Sequence, residues 1–452
     1  MSKMPLAGVR IIDLGTAAIG PTTTRLLVMM GAEVIKVESL TRPDTVRFGS
    51  HADDIIEGRF WETGGRHIWS DGGKLSITLD LENPKGKDVF KKLVKVSDII
   101  AENYSARVLK NLGLDYEVLK EINPQIIMLS MRAFGSSGPR MHDIGYGWSL
   151  WAETGLAHLT GYEDGPPKAT IIPFHDYSGA IWAAFSAVVA LDYRRRTGKG
   201  QWVDVSMYEC GVAQNAAAMM DYIMNQRVPT RRGNRNPAIA PQGVYPCLGE
   251  DKWVAISVTS DDEWHALCDV MGNPQWTKEE RFANGLSRYQ NHDELDRLIG
   301  EWTITVDHYE AMHLLQKAGV PAGAALNCKE LLLDPHFNER GKFHRVTFPK
   351  VEGMEHLGTR IIPAPHFKLS KSPPQVQRTK LLGEDNDYVF HELLGIPVEE
   401  VEQLIAEGVA GTEPALAKTP IASGKFNPPA RKLLGHIHEW DENYKEILGL
   451  DE

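Results

Sequence analysis

Two kinds of hydrophobic pattern alternate along the first half of the chain. Short apolar runs at Val9–Leu14 (VRIIDL), Glu33–Glu38 (EVIKVE), Leu75–Leu81, Asp98–Ala101, Gln125–Met131 and Gln201–Met207 predict strands. Between them lie longer stretches with helical spacing. One runs from Pro21 to about Met30 and is stopped by Gly31. Another starts at Asn83-Pro84 and reaches Val96. Shorter ones cover Ala106–Leu112 and Tyr116–Ile122. Strands alternating with helices predict an α/β protein with a mostly parallel sheet covered on both faces, opening with a βαβ unit of the Rossmann kind. The stretch Ser178–Tyr193 is almost wholly apolar and predicts a buried helix. Its small residues Gly179, Ala180, Ala183, Ala184 and Ala187 would let it pack closely on both sides. Arg194-Arg195-Arg196 and Gly198 mark its end.

The pattern changes in the second half. Glu209–Gln226 predicts one more small-residue helix, and the basic segment Arg227–Pro237 (RVPTRRGNRNP) reads as a linker. The runs GVYPC and WVAISV flank Gly249-Glu250-Asp251-Lys252 as a hairpin. Helices follow near Asp261–Met271, Asp293–Glu301 and Val306–Lys317, which places a smaller α+β domain at 228–340. Strands and turns continue to Leu369. Helices then come near Asn386–Leu394 and Val398–Glu407, an extended Pro/Ala/Thr-rich tail runs from Gly411 to Pro429, and a last short helix lies within Leu433–Leu448. The expected division is 1–227, 228–340, 341–410 and a C-terminal extension, 411–452.

Composition narrows the class without choosing a function. A net charge of −11, from 49 basic and 60 acidic residues, disfavours non-specific nucleic-acid binding. Cys210, Cys247, Cys268 and Cys328 are scattered and form no metal-binding pair, which fits a reducing cytoplasm. There is no signal-peptide pattern at the start and no apolar run long enough to span a membrane.

Three places carry candidate chemistry. The loop Gly15–Pro21 (GTAAIGP) should border the crevice beyond the strand ends. It lacks the GxGxxG fingerprint, although Glu38 stands where a nicotinamide enzyme keeps its ribose-binding acid. The Gly/Ser-rich loop Phe134–Gly147, with His142 and Asp143, is a second candidate binding loop. Residues 45–74, mixed with Gly, His and aromatics, read simply as a loop. Asp176 is the third place. It precedes the first turn of the predicted helix, where free N–H groups and the dipole favour a carboxylate. It reads either as an N-cap or as a nucleophile able to attack an activated acyl group and form a mixed anhydride.

Eight segments in order give the chain a family likeness: LAGVRIIDLGTAAIGP, GAEVIKVES, ENYSARVLKNLGLDYEVLKEINPQIIMLS, FGSSGP, TGYEDGPP, RRRTGKGQWVDVSMYE, GNRNPAIAPQGVYPC and LLGEDNDYVFHELLG. Over residues 5 to about 408 it resembles the family III CoA-transferases, a fold shared with acyl-CoA racemases and isomerases. The resemblance implies a Rossmann-like large domain built from both termini, a smaller domain between them, and an interlocked dimer, a homodimer or a pairing with a homologous subunit. It implies CoA and acyl-CoA as substrates, a carboxylic acid as acceptor, and no permanently bound cofactor or metal.

It makes Asp176 the nucleophile, with oxyanion support from the segment near Gly233. It puts Ala17, Ala18 and Ile19 by the thioester, Leu79 on the adenine, and Asn103 and Tyr104 at the nucleotide. Ser39 and Glu82 stand where some members carry Arg and Lys, so Arg42, Lys74 or Arg107 would supply the phosphate contacts. His142-Asp143-Ile144-Gly145-Tyr146 resembles the racemase segment that carries a proton-moving His, which keeps a racemase open as the alternative. Tyr177-Ser178-Gly179 after the aspartate looks more like the transferases. A non-catalytic CoA-binding subunit is the reading from another class. Trp148 and Trp151 would line an acyl site or a core.

Overall fold

Six short strands of the computed structural model are all parallel: β1 (Arg10–Asp13), β2 (Glu33–Glu38), β3 (Leu75–Thr78), β4 (Ile99–Glu102), β5 (Ile127–Arg132) and β6 (Trp202–Ser206). The structure describes residues 4–363, 365–415 and 441–450. The strand order in the sheet is β3-β2-β1-β4-β5-β6, so the chain winds outward from β1 and then returns to its other side. The order reverses between β1 and β4, where open α/β sheets hold their ligands beyond the strand ends. Both faces of β1 to β5 are buried, whereas the edge strand β6 leaves Trp202 and Asp204 exposed. Ile12, Ile35, Ile77 and Ile100 enter one apolar cluster, and Ile11, Val34, Ile99 and Ile127 enter the other.

The chain divides into two compact units. The larger comprises Met1–Thr154, Thr170–Ala216 and Pro335–Glu452, and the smaller comprises Gly155–Ala169 and Ala217–Asp334. The smaller unit thus begins earlier than the sequence pattern suggested and includes residues 155–169. The single helix expected over Glu209–Gln226 is two, Met207–Gln214 and Ala216–Asn225, and the unit boundary lies at the start of the second. The smaller unit contains the antiparallel strands β7 (Gln242–Pro246), β8 (Trp253–Ser257) and β9 (Ala322–Ala324), with Trp264, Leu267, Phe282 and Leu315 in its core.

The C-terminal part of the larger unit is held by the edge of its sheet. Ser76 N–H donates to Asp385 Oδ2 at 2.8 Å, and Asp385 N–H donates to Ser76 C=O at 2.9 Å. Thr78 N–H donates to Asn386 Oδ1 at 2.9 Å. Two side chains and a backbone amide therefore stand in for a neighbouring strand and leave β3 no open edge. Val389, Phe390 and Leu404 add to the β3 core from the same segment. A two-stranded ribbon, β10 (Phe343–Thr347) with β11 (Thr359–Pro363), covers a small separate cluster. The tail and last helix fall largely on 416–440, outside the described residues. Of them, Tyr444–Ile447 is helical, and the Tyr444 hydroxyl and Lys445 ammonium both bind Asp53. Among the described residues, no helix is long and apolar enough to cross a membrane.

Residues 45–74 are more ordered than an irregular loop. They form short 3-10 turns and the helix Gly65–Ser70 around a buried ionic network. Arg47 bonds both oxygens of Glu38, at 2.9 and 2.7 Å, and reaches Glu62 at 2.9 Å. Lys74 holds Asp13 at 2.9 Å and Asp71 at 2.7 Å, and Lys36 holds Asp44 at 2.6 Å. These charges leave no apolar periodicity, which is why the segment reads as surface loop. Burial is made tolerable by full pairing. Glu38 is consequently committed to Arg47 and to the Asp44 N–H, which removes the nicotinamide-type reading of that residue.

Candidate active site

Asp176 sits inside its helix, not before it. The helix spans Phe174–Thr197 behind an N-cap at Pro173, so Asp176 is the third helical residue. Its carboxylate takes hydrogen bonds from its own backbone N–H and from that of Gly147. Gly147 is the first residue of a second helix, Gly147–Glu153. A Cβ at position 147 would lie 2.1 Å from Asp176 Oδ2, so only glycine allows this approach. The carboxylate thus meets the N-terminal turns of two helices. Asp176 is nevertheless only 9% exposed. Burial raises its pKa more than the two N–H groups and the nearby Arg66 lower it, and the value settles at about 6. The helix terminus was expected to keep the group fully ionised; desolvation outweighs it, though the group is still mostly charged at neutral pH.

The residue before Asp176 is a site feature that the sequence did not flag. His175 is fully buried, with Nε2 3.0 Å from Thr154 Oγ1. The Thr154 hydroxyl donates to Leu150 C=O at 2.8 Å, so the imidazole N–H is the donor to it. His175 Nδ1 then has no hydrogen-bond partner, and burial holds the ring below its usual pKa. Trp151 packs edge-on at 5.8 Å, and Gly211 leaves room for the ring, since a Cβ there would sit 2.1 Å from Nε2. A lone His with no patterned neighbour gives no sequence signal for this arrangement.

The loop after β1 is fixed atom by atom. Gly15 N–H donates to Asp13 Oδ1 at 2.8 Å, and its carbonyl accepts from Lys36 Nζ. Thr16 N–H donates to Asn103 Oδ1 at 2.7 Å, and Asn103 Nδ2 donates back to Thr16 C=O at 2.9 Å. Ala17, with φ +62°, donates its N–H to Asp44 Oδ1 at 2.8 Å. Asn103 follows β4, so this pairing spans the reversal between β1 and β4. Asn103 therefore binds the loop that borders the crevice. Ala18 and Ile19 are buried at the start of the next helix, in which Pro21 is the third residue, not the first as expected.

The other expected ligands are distributed unevenly. Tyr104 is partly buried against the core, and burial pushes its hydroxyl up to about 12. Arg107 is exposed at the N-cap of Val108–Leu112, and Arg42 is exposed 4.0 Å from Glu82. Ser39 bonds Thr41. Leu79 is 2% exposed and packs in the core. Lys74 is spent on Asp13, Asp71 and Pro21 C=O, so it is not available to a phosphate. Gly233 N–H donates to Gly161 C=O at 2.8 Å within the smaller unit, so it is not a free oxyanion donor. His142 and Trp148 are exposed, and no hydrogen bond or ion pair joins His142 to Asp176. Asp143 is paired with Arg140 at 2.7 Å. Trp151 is 9% exposed.

Sheet order, the loop after β1 and a buried carboxylate at two helix starts define an α/β protein with a candidate nucleophile. The chain belongs to CoA-transferase family III, whose model matches residues 6–386. It is 34% identical over 409 residues to the succinyl-CoA–D-citramalate CoA-transferase of Chloroflexus aurantiacus, covering 90% of this chain and 98% of that protein. It is 30% identical over 393 residues to the succinate–glutarate CoA-transferase of Agrobacterium fabrum, covering 86% and 96%. Among solved structures, a CAIB/BAIF family protein from Brucella suis superposes with a TM-score of 0.77 at 30% identity, covering 86% of this chain and all of that one.

Proposed function

We propose that the protein transfers CoA from an acyl-CoA to a carboxylic acid, with Asp176 as the covalent nucleophile. An Asp176 oxygen attacks the donor thioester carbonyl; the C–S bond breaks, leaving an acyl-aspartyl anhydride and CoA thiolate. The thiolate attacks the aspartyl carbonyl, and the donor acid departs as carboxylate, leaving an aspartyl-CoA thioester. The acceptor carboxylate then attacks that thioester and expels CoA thiolate. The thiolate takes the acceptor acyl group from the new anhydride and frees Asp176. Charge develops on the aspartyl oxygen in the second and third steps. The Gly147 N–H already bonds this carboxyl, which fits it for the oxyanion role expected of Gly233, whereas the Asp176 N–H is shared with the Pro173 carbonyl at 3.0 Å.

The observation that carries this reading is a buried carboxylate held by two helix starts. The crevice loop Ala17-Ala18-Ile19 lies by the thioester in this reading, with Tyr104 towards the nucleotide, while Leu79, buried in the core, offers the adenine no side-chain surface. Asn103 holds the loop, and Arg107 and Arg42 are the cations left for the phosphates. The four cysteines are free, which fits a cytoplasmic enzyme. The exposed, unconnected His142 gives the racemase alternative no support. Incubation with acyl-CoA alone, followed by hydroxylamine, should leave a hydroxamate on the peptide containing Asp176. A hydroxamate elsewhere, or none from any acyl-CoA that supports turnover, would refute the assignment.

The assembly proposed is a dimer, with a homologous chain as the alternative partner. The nucleophile helix buries only its small residues along this stretch, Gly179, Ala180, Ala183, Ala184, Ala187 and Ala190. Its large ones, Ile181, Trp182, Phe185 and Val189, are 58, 50, 60 and 49% exposed. A helix expected to pack on both sides thus has one apolar side uncovered, a surface that calls for a partner chain. Phe185→Glu with Val189→Glu should yield monomers or soluble aggregates on sizing. An unchanged, active dimer would show that this face is not the interface.

A further inference from the structure

Arg66 carries no hydrogen bond or ion pair among the described residues, yet it is the one charged side chain that acts on Asp176. The arginines Arg47, Arg132, Arg140, Arg194, Arg360 and Arg378 of the same unit all hold carboxylates. Arg66 lies on the helix Gly65–Ser70, three residues before Trp69, so the two share a helix face. The Trp69 ring meets Tyr177, the residue after Asp176, edge-on at 5.9 Å. Trp69 is itself fixed from behind, with the Arg25 guanidinium 5.2 Å from its ring and bonded to its carbonyl. The helix is therefore anchored beside the nucleophile, with an exposed, uncommitted guanidinium next to an aromatic wall.

Resting on the transfer reading, we infer that Arg66 binds the second carboxylate of a dicarboxylic acid substrate, while Trp69 and Tyr177 line its carbon chain. A guanidinium suits a carboxylate because its forked N–H groups match the two oxygens. The phosphates of CoA are separated from the thioester by the whole pantetheine arm, so they are not the anion expected at the reacting centre. A monocarboxylic acid loses its only charge when it becomes an anhydride or a thioester. The far carboxylate of a dicarboxylic acid stays charged through every step, so a fixed cation beside the nucleophile can hold it throughout.

The test is the rate at which the Asp176 adduct forms from matched acyl-CoA pairs. The pairs are succinyl-CoA with butanoyl-CoA and glutaryl-CoA with pentanoyl-CoA, measured in the full-length protein and in Arg66→Met and Arg66→Lys. The wild type should favour the dicarboxylic member of at least one pair. Arg66→Met should slow that member by ~10²-fold and change its monocarboxylic partner less than ~3-fold, with Arg66→Lys in between. Equal slowing of both members would mean that Arg66 acts only through the charge of Asp176, and would overturn the assignment. So would no slowing, or a wild type without preference. If no acyl-CoA leaves an adduct on Asp176 in the wild type, the transfer reading itself falls, and this inference with it.

Discussion

Asp176→Asn should lose CoA transfer by at least ~10³-fold and yet give a more stable protein at neutral pH. The first effect follows from removing the atom that carries the acyl and CoA groups. The second follows from burial. In the folded chain the carboxyl has a pKa of about 6, against 3.8 for the ordinary group. Between these values the folded state holds a proton that the unfolded state has lost, so stability falls as pH rises through this window. Above pH 6 the charged form is present in both states and the whole cost of burying it applies, on the order of 3 kcal/mol at most. Asparagine has no charge to bury and avoids that cost. Urea unfolding should therefore show the variant more stable than wild type at pH 8 and similar to it at pH 3.5. The wild-type transfer rate should also fall on acidification with one proton and a midpoint near pH 6. Residual transfer above a hundredth of wild type would exclude Asp176 as the nucleophile, and equal stability at pH 8 would show that its charge is not strained.

Arg47→Leu should cost ~3–5 kcal/mol, the usual result of leaving buried carboxylates without their cation. Burial alone would raise the Glu38 pKa, but Arg47, by its charge and two hydrogen bonds, holds the group down at about 2. That depressed value adds stability above pH 4.5, which is lost as pH falls from 4.5 through 2. Glu62 loses the same partner. The damage should reach the crevice, because Glu38 also accepts from Asp44 N–H, and Asp44 accepts from Ala17 N–H and Lys36. Chemical denaturation with CoA titration would check both effects. A variant with wild-type stability and CoA affinity would mean that the network relaxes without it.

Asp176 and Arg47 are charges that differ in how they could be read. Apolar runs placed the strands within a few residues, because β1 to β5 are buried on both faces and are therefore mostly hydrophobic. Pro84, Asn83 and Gly198 placed helix ends because capping depends on neighbours in the chain: Asn83 accepts from Lys85 N–H, and Gly198 takes φ +72°. Asp176 stood out for the same local reason, and family likeness, rather than periodicity, gave it a role. Arg47 fell in a stretch without periodicity, and its partners Glu38, Glu62 and His67 come from three separate segments.

What the sequence determined by itself was therefore whatever depends on near neighbours: the α/β alternation and the helix stops. Only the tertiary structure decided which polar groups were already used. Lys74 and the Gly233 N–H are occupied, Asn103 is bound to Thr16, and Arg66, in a stretch that read as loop, is uncommitted. It likewise placed Gly147 against a carboxylate 29 residues later in the chain. Hydrogen-bond partners distant in sequence leave no periodic trace, and the ionisation of a carboxyl depends on what surrounds it in space, so both had to come from the fold.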